Sequence, residues 1–236
     1  MNPSIIPSDV AATAAANDLL ELDVLQQGRR VHDVRELLAE TGALLSSSLE
    51  YREILREVAE LLVPRLADYC MLHLLESDGR YCQIAAVHRD PTKIPLLEEL
   101  GRIRRSMPEE ANSIMTGVLE TARPVLTSAA SYKQARAFIR DPAMLRLYRQ
   151  LNPGSYMIVP LRARGQTLGS MTLAMSVSGR RYTADDLTVT EQLVGRAALA
   201  IDNARLFVAE QAARQRAERL QAITAALSQA MTQREV

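Results

Sequence analysis

YMIVPLRARGQTLGSMTLAMS, residues 156–176, reads as two apolar strands joined by a turn at Arg164-Gly165-Gln166. Each strand is long enough to cross a sheet and rich in residues that suit a pleated surface. In the second strand Gly169, Met171, Leu173 and Met175 alternate with Ser170, Thr172 and Ala174. Neither face carries a charge, so both can be covered and the strand belongs inside a sheet. Pro160 removes one ladder donor from the first strand and predicts a bulge or an edge there.

Working outward, Tyr69 to Leu75 and Tyr81 to His88 form an earlier hairpin around Ser77-Asp78-Gly79-Arg80, and Pro91 stops its second strand. Between the hairpins the pattern predicts helices over Leu96 to Arg105 and Asn112 to Thr121, then a short strand at Pro124 to Thr127. A helical stretch from Tyr132 to Leu151 follows, broken at Asp141-Pro142 and ended by Asn152-Pro153-Gly154. Ahead of the first hairpin, Ser47 and Glu50 form a capping box for a helix carrying Leu55, Val58, Leu61 and Leu62 on one stripe and ending near Pro64. Residues 1–30 read as an arm, and helical spacing begins at Val31. Two hairpins that bracket a helical insert, without strict alternation, predict an α+β fold with an antiparallel sheet.

After the central hairpin, RRYTADDLTVTEQLVGRAALAIDNARLF, residues 180–207, gives an acidic helix start after Thr183 and a long helix closing in Asn203-Ala204-Arg205-Leu206-Phe207. The order VPL, short turn, LG, apolar strand, Y-T-A-D-D-L, long helix and N-A-R-L-F resembles the carboxy-terminal half of a GAF domain. GAF domains of this kind occur in bacterial sensor histidine kinases and multidomain serine phosphatases. The resemblance spans Val31 to Phe207. It implies that the first and last strands lie side by side at the sheet centre, that short helices roof a pocket, and that the two terminal helices cover the opposite face. The expected organisation is an arm over 1–30, a GAF domain over 31–207 and a signalling helix over 208–236. In that last segment Leu220, Ile223, Leu227 and Ala230 keep the spacing of a helix that pairs with its own copy in a homodimer.

Lysine plus arginine and aspartate plus glutamate number 28 each, so no overall field draws the chain to nucleic acid or an anionic membrane. No apolar run approaches the roughly 20 residues of a membrane span. The amino terminus lacks the basic start and apolar block of a secretion signal, which leaves the cytoplasm as the expected compartment. Hairpin register sets Cys70 opposite about Val87 and Cys82 opposite about Leu75. That separates the thiols by ~17 Å and predicts two free cysteines.

Catalytic motifs are missing: the sequence contains no GxSxG elbow, GxxxxGK loop, GxGxxG or HExxH. His88-Arg89-Asp90 spells a kinase tripeptide, but it follows a strand, precedes Pro91 and lacks the asparagine five residues after the aspartate. The expectation is a non-enzymatic module with no cofactor. Bilin-binding GAF domains attach chromophore through a cysteine in the helical insert, where this chain has none, and the asparagine-lysine-phenylalanine-aspartate-glutamate set of cyclic-nucleotide binders is absent. His73 and His88 share a face but stand ~13 Å apart, too far to chelate one metal. His73 alone leaves a haem-binding sensor as an alternative. Seven of the nine methionines fall between Met71 and Met175 and read mainly as core filling. Arg102, Arg104 and Arg105 read as a solvated helix face. The face bearing Met71, His73 and Ile84, with Ser170, Thr172 and the roof residue Met115, is the expected ligand-binding site for a small molecule. The other alternative is a dimerisation and docking module without ligand.

Overall fold

The computed structural model describes residues 51–76, 79–106 and 113–232. Expectations for the arm over 1–30, the helical run from Val31 and the Ser47/Glu50 capping box lie outside the described residues. Five strands, β1 (Tyr69–Leu75), β2 (Tyr81–His88), β3 (Val125–Thr127), β4 (Ser155–Ala163) and β5 (Gln166–Met175), form one sheet in the order β2-β1-β5-β4-β3. Every pair is antiparallel. The first and last strands are therefore neighbours at the centre, as the alternation in β5 requires.

Gly169 is the reason they can pack so closely. A Cβ there would collide with the His73 carbonyl oxygen and stand 2.9 Å from the Leu74 Cα. The β4–β5 hairpin turns through Arg164 (φ 47°) and Gly165 (φ 81°), the pair of positive φ angles that matches strand twist in a two-residue turn. Arg164 holds this conformation while its side chain reaches the Asp202 carboxylate and the Asn203 amide oxygen, each at 3.0 Å. Pro160 lies two residues past Ile158, the last β4 residue paired with β3, and β4 is irregular at Leu161/Arg162. Local edge and bulge thus coincide beside the proline.

One face is covered by α1 (Tyr51–Arg65) and the first half of α6 (Ala184–Thr232). Leu55, Val58 and Leu62 from α1 and Val194, Ala197, Ala198 and Ile201 from α6 form a continuous core with Cys70, Leu72, Met157, Val159, Met171 and Leu173. In α1 the helix breaks at Val63 (φ −101°, ψ 120°), directly before Pro64 in sequence, where the αR conformation is disfavoured. Thr183 opens α6: its hydroxyl accepts from the Asp186 N–H at 3.3 Å, and the Asp186 carboxylate accepts from the Thr183 N–H at 2.8 Å. This is a capping box with aspartate in the reciprocal place.

The other face carries α2 (Ile94–Ser106), α3 (Ser113–Thr121), α4 (Tyr132–Phe138) and α5 (Pro142–Leu151). Leu97 and Leu100 of α2 meet Met144, Leu147 and Leu151 of α5 over Tyr69, Met71 and Ala174. Asp141 caps α5 by accepting from the Met144 N–H at 2.8 Å, and Asn152 ends it in the left-handed conformation. The break expected at Asp141-Pro142 is thus a helix start, with proline at the first position, where a missing N–H costs nothing.

Two register expectations need correction. The β1/β2 pairing shifts between Leu72 and His73, so His73 opposes Gln83 and Cys82 opposes Leu74 rather than Leu75. Ile84 is the residue inserted by that bulge. It turns to the α1/α6 side and packs with Leu72 and Leu74, away from Met71.

Candidate ligand-binding site

Between the sheet and the short helices lies a cavity of about 220 Å³. Its floor is laid by Tyr69 and Met71 of β1, Tyr156 and Ile158 of β4 and Thr172 of β5. Leu100 and Arg104 of α2, Ile114 and Met115 of α3, and Met144, Tyr148 and Leu151 of α5 make the walls. Strand alternation puts Met71 and Thr172 side by side, since they are paired across β1 and β5. A wider recess of about 640 Å³ adjoins it beside α3, β3 and α4, sharing Ile114, Phe138, Tyr148 and Tyr156.

Of the six residues expected at the site, Met71, Thr172 and Met115 line the cavity. Ser170 and His73 sit on the same sheet face, paired with one another across β5 and β1, but beneath the cavity wall rather than in it. The Ser170 hydroxyl donates to the Met115 sulfur at 3.4 Å, locking the roof to the floor. His73 is buried with both ring nitrogens unpartnered, and burial, aided by the Arg104 charge, pulls its pKa down to about 3. It is a neutral core histidine. No histidine is among the described residues that line the cavity, so the His73 ligand on which the haem alternative rested lies outside it. Ile84 is on the other side of the sheet.

His88 is likewise buried. Its ring stacks on Tyr69 with centroids 5.6 Å apart, and its Nδ1 accepts from the Asp90 N–H at 2.8 Å. Burial lowers its pKa, with the Lys93 charge acting in the same sense. Cys70 is enclosed in the α1/α6 core and Cys82 lies at the other end of the β1/β2 pairing. Among the described residues no group of three or more His, Cys, Asp or Glu side chains is placed to hold a metal ion. No described helix is long and apolar enough to cross a membrane.

The residue that composition alone misplaced is Arg104. Arg102 and Arg105 are exposed, as a solvated face requires, and Arg105 approaches the Cys82 sulfur at 3.9 Å. Arg104 instead lines the cavity. Leu97, Leu100 and Gly101 mark the buried stripe of α2, and Arg104 follows at the next helical step, the signal by which it could have been found. Among the described residues its Nε is buried without a partner, and its Nη1 has the Met115 sulfur at 4.0 Å. The Thr172 hydroxyl on the floor is also buried and unpartnered. Burial pulls the Arg104 pKa below the ordinary guanidinium range, pushes the Tyr69 phenol up, and pushes Tyr148 up to about 12. The cavity is thus largely apolar-walled, with Arg104 inside, Arg140 and Asp141 also on its lining, an unpartnered hydroxyl and neutral phenols.

The sequence matches the GAF domain family over residues 48–202. Solved structures agree in architecture. The GAF domain of a phosphoenolpyruvate-protein phosphotransferase from Coxiella burnetii superposes with a TM-score of 0.57 at 15% identity, covering 75% of this chain and 98% of that one. The corresponding domain from Acinetobacter gives 0.56 at 16%, covering 75% and 95%. Free methionine-R-sulfoxide reductase from Neisseria meningitidis, solved with its substrate, gives 0.53 at 11%, covering 73% and 90%. At these identities the likeness is one of fold.

Proposed function

The chain belongs to the GAF domain family, and on that footing we propose that it is a sensory, non-catalytic module of a bacterial signalling protein that binds a small molecule in the α2/α3/α5 cavity. The observation that carries this reading is the path from that cavity to α6. Thr172 on the floor belongs to β5, β5 leads through a short connection into α6, and both ends of the hairpin are tied to its surroundings. Arg164 grips Asp202 and Asn203 of α6 at one end, and Asp68 holds Ser176 and Ser178 at the other. An occupant that shifts β5 therefore acts on α6, which would bias two arrangements of that helix.

Homodimerisation through the terminal helices is part of the proposal. Leu199, Leu206 and Leu220 are exposed on α6 at spacings of seven and fourteen residues, in step with the repeat of a coiled-coil seam. In a sensor histidine kinase or a multidomain serine phosphatase, such a seam would relay the signal to an output domain. The same stripe favours the second reading, a cytoplasmic dimerisation module with no ligand. A crystal structure of the protein as purified separates the two: density enclosed by Met71, Met115 and Arg104 supports sensing, and side chains collapsed into the cavity support docking alone.

A further inference from the structure

Resting on the sensory reading, we propose that the cavity's occupant is a compact organic acid with a single carboxylate, whose anion pairs with Arg104 and Thr172 and whose apolar body lies against Met71, Met115 and Met144. The two polar groups on the wall and floor lack what a carboxylate supplies. Arg104 Nε and Thr172 Oγ1 are buried donors without acceptors among the described residues, and such groups in a folded protein call for an explanation. The acidic side chain lining the cavity, Asp141, is committed to capping α5 through the Met144 N–H.

Charge count limits the ligand to a monoanion. Arg104 is the cation of the inner wall, whereas Arg140 sits exposed at the rim. A phosphate monoester, carrying about −1.5 to −2 charges at neutral pH, would be left under-compensated. Guanidinium and carboxylate match in a planar, bidentate fork that a sulfur atom at 4.0 Å cannot imitate. The volume of about 220 Å³ beside Arg104 and Thr172 holds a branched-chain or small aromatic acid without drawing on the adjoining recess. With the Tyr69 and Tyr148 phenols neutral, Asp141, turned to the start of α5, is the one negatively charged group among the described lining residues.

The test titrates the full 236-residue chain by calorimetry with two matched pairs, phenylacetate against phenylacetamide and 3-methylbutanoate against 3-methylbutanamide. Each amide keeps the shape of its acid and removes the charge. At least one acid should bind about 10- to 100-fold more tightly than its amide, the range for a charge-assisted hydrogen bond. Arg104→Gln should erase that preference, and Thr172→Val should weaken the acid several-fold. Arg104→Gln should also leave the unliganded melting temperature unchanged or raised, because it removes an uncompensated cation. Equal binding of acid and amide, or an acid preference that survives Arg104→Gln, overturns the carboxylate assignment while leaving a sensory cavity intact. If none of the four compounds binds, the assignment also fails. Density for a neutral molecule in the purified protein would then preserve the sensory reading, and a collapsed cavity would remove both.

Discussion

The Asp68 carboxylate accepts the Ser178 hydroxyl at 2.6 Å, joining the residue before β1 to the connection between β5 and α6. The same oxygen takes the N–H groups of Ser176 and Ser178 at 2.7 and 2.8 Å, and Arg89 approaches the other oxygen at 3.3 Å. Four groups from two segments thus converge on one fully buried side chain. Burial by itself would raise the Asp68 pKa, but the bonds from Ser178 and Ser176 outweigh it and hold the carboxyl below its ordinary value.

Asp68→Asn should destabilise the domain by about 2–4 kcal/mol, since charge-assisted bonds are lost and a poorer acceptor replaces them. The sign of the pH effect follows from the depressed pKa. The contribution is complete above the unfolded value of 3.8 and is lost as pH falls through the lower folded value. Urea unfolding of both proteins at pH 7 and pH 3 checks this: the gap between them should shrink in acid. A gap that is constant or widens counts against the role given to this carboxylate.

Gly169→Ala should cost about 3 kcal/mol, the upper end for overpacking, because the added methyl meets β1 backbone rather than a side chain that can rotate away. Gly165→Ala offers a contrast, since its Cβ would face open space and only the positive φ would be strained. Thermal melts should place Gly169→Ala well below Gly165→Ala. Similar melting temperatures would mean that β1 and β5 do not approach as closely as described.

Leu206→Glu combined with Leu220→Glu should convert a dimer to a monomer, as both side chains are exposed on α6 and charges are repelled from a coiled-coil seam. Melting of the globular part should change little. Sedimentation equilibrium of the double variant settles it, and a dimer that persists places the self-association surface elsewhere.

The limits of both hairpins, the central place of β5 and the start of α6 were legible because alternation, turn glycine and capping residues report on neighbours close in sequence. Ile84 was not, because the bulge at Leu72/His73 has no glycine or proline to announce it, and one inserted residue reverses the face of its side chain. Arg104 was missed for a different reason. Charge type suggested solvent, whereas its position after Leu97, Leu100 and Gly101 placed it on the buried stripe. Where composition and periodicity disagree in this way, a functional position is a natural outcome. His73 and Ser170 were placed on the correct face, but which residues stop beneath the cavity wall depends on the α3 packing, which strand register does not specify.

Native mass spectrometry of the chain as purified, after gentle buffer exchange, tests the sensory cavity most directly. The expected result is one small molecule per protomer, released on denaturation and missing from a Met71→Trp variant in which the added bulk fills the floor. A bare protein mass for the wild type, or a bound molecule that Met71→Trp retains in full, would contradict the cavity's assignment as the ligand site.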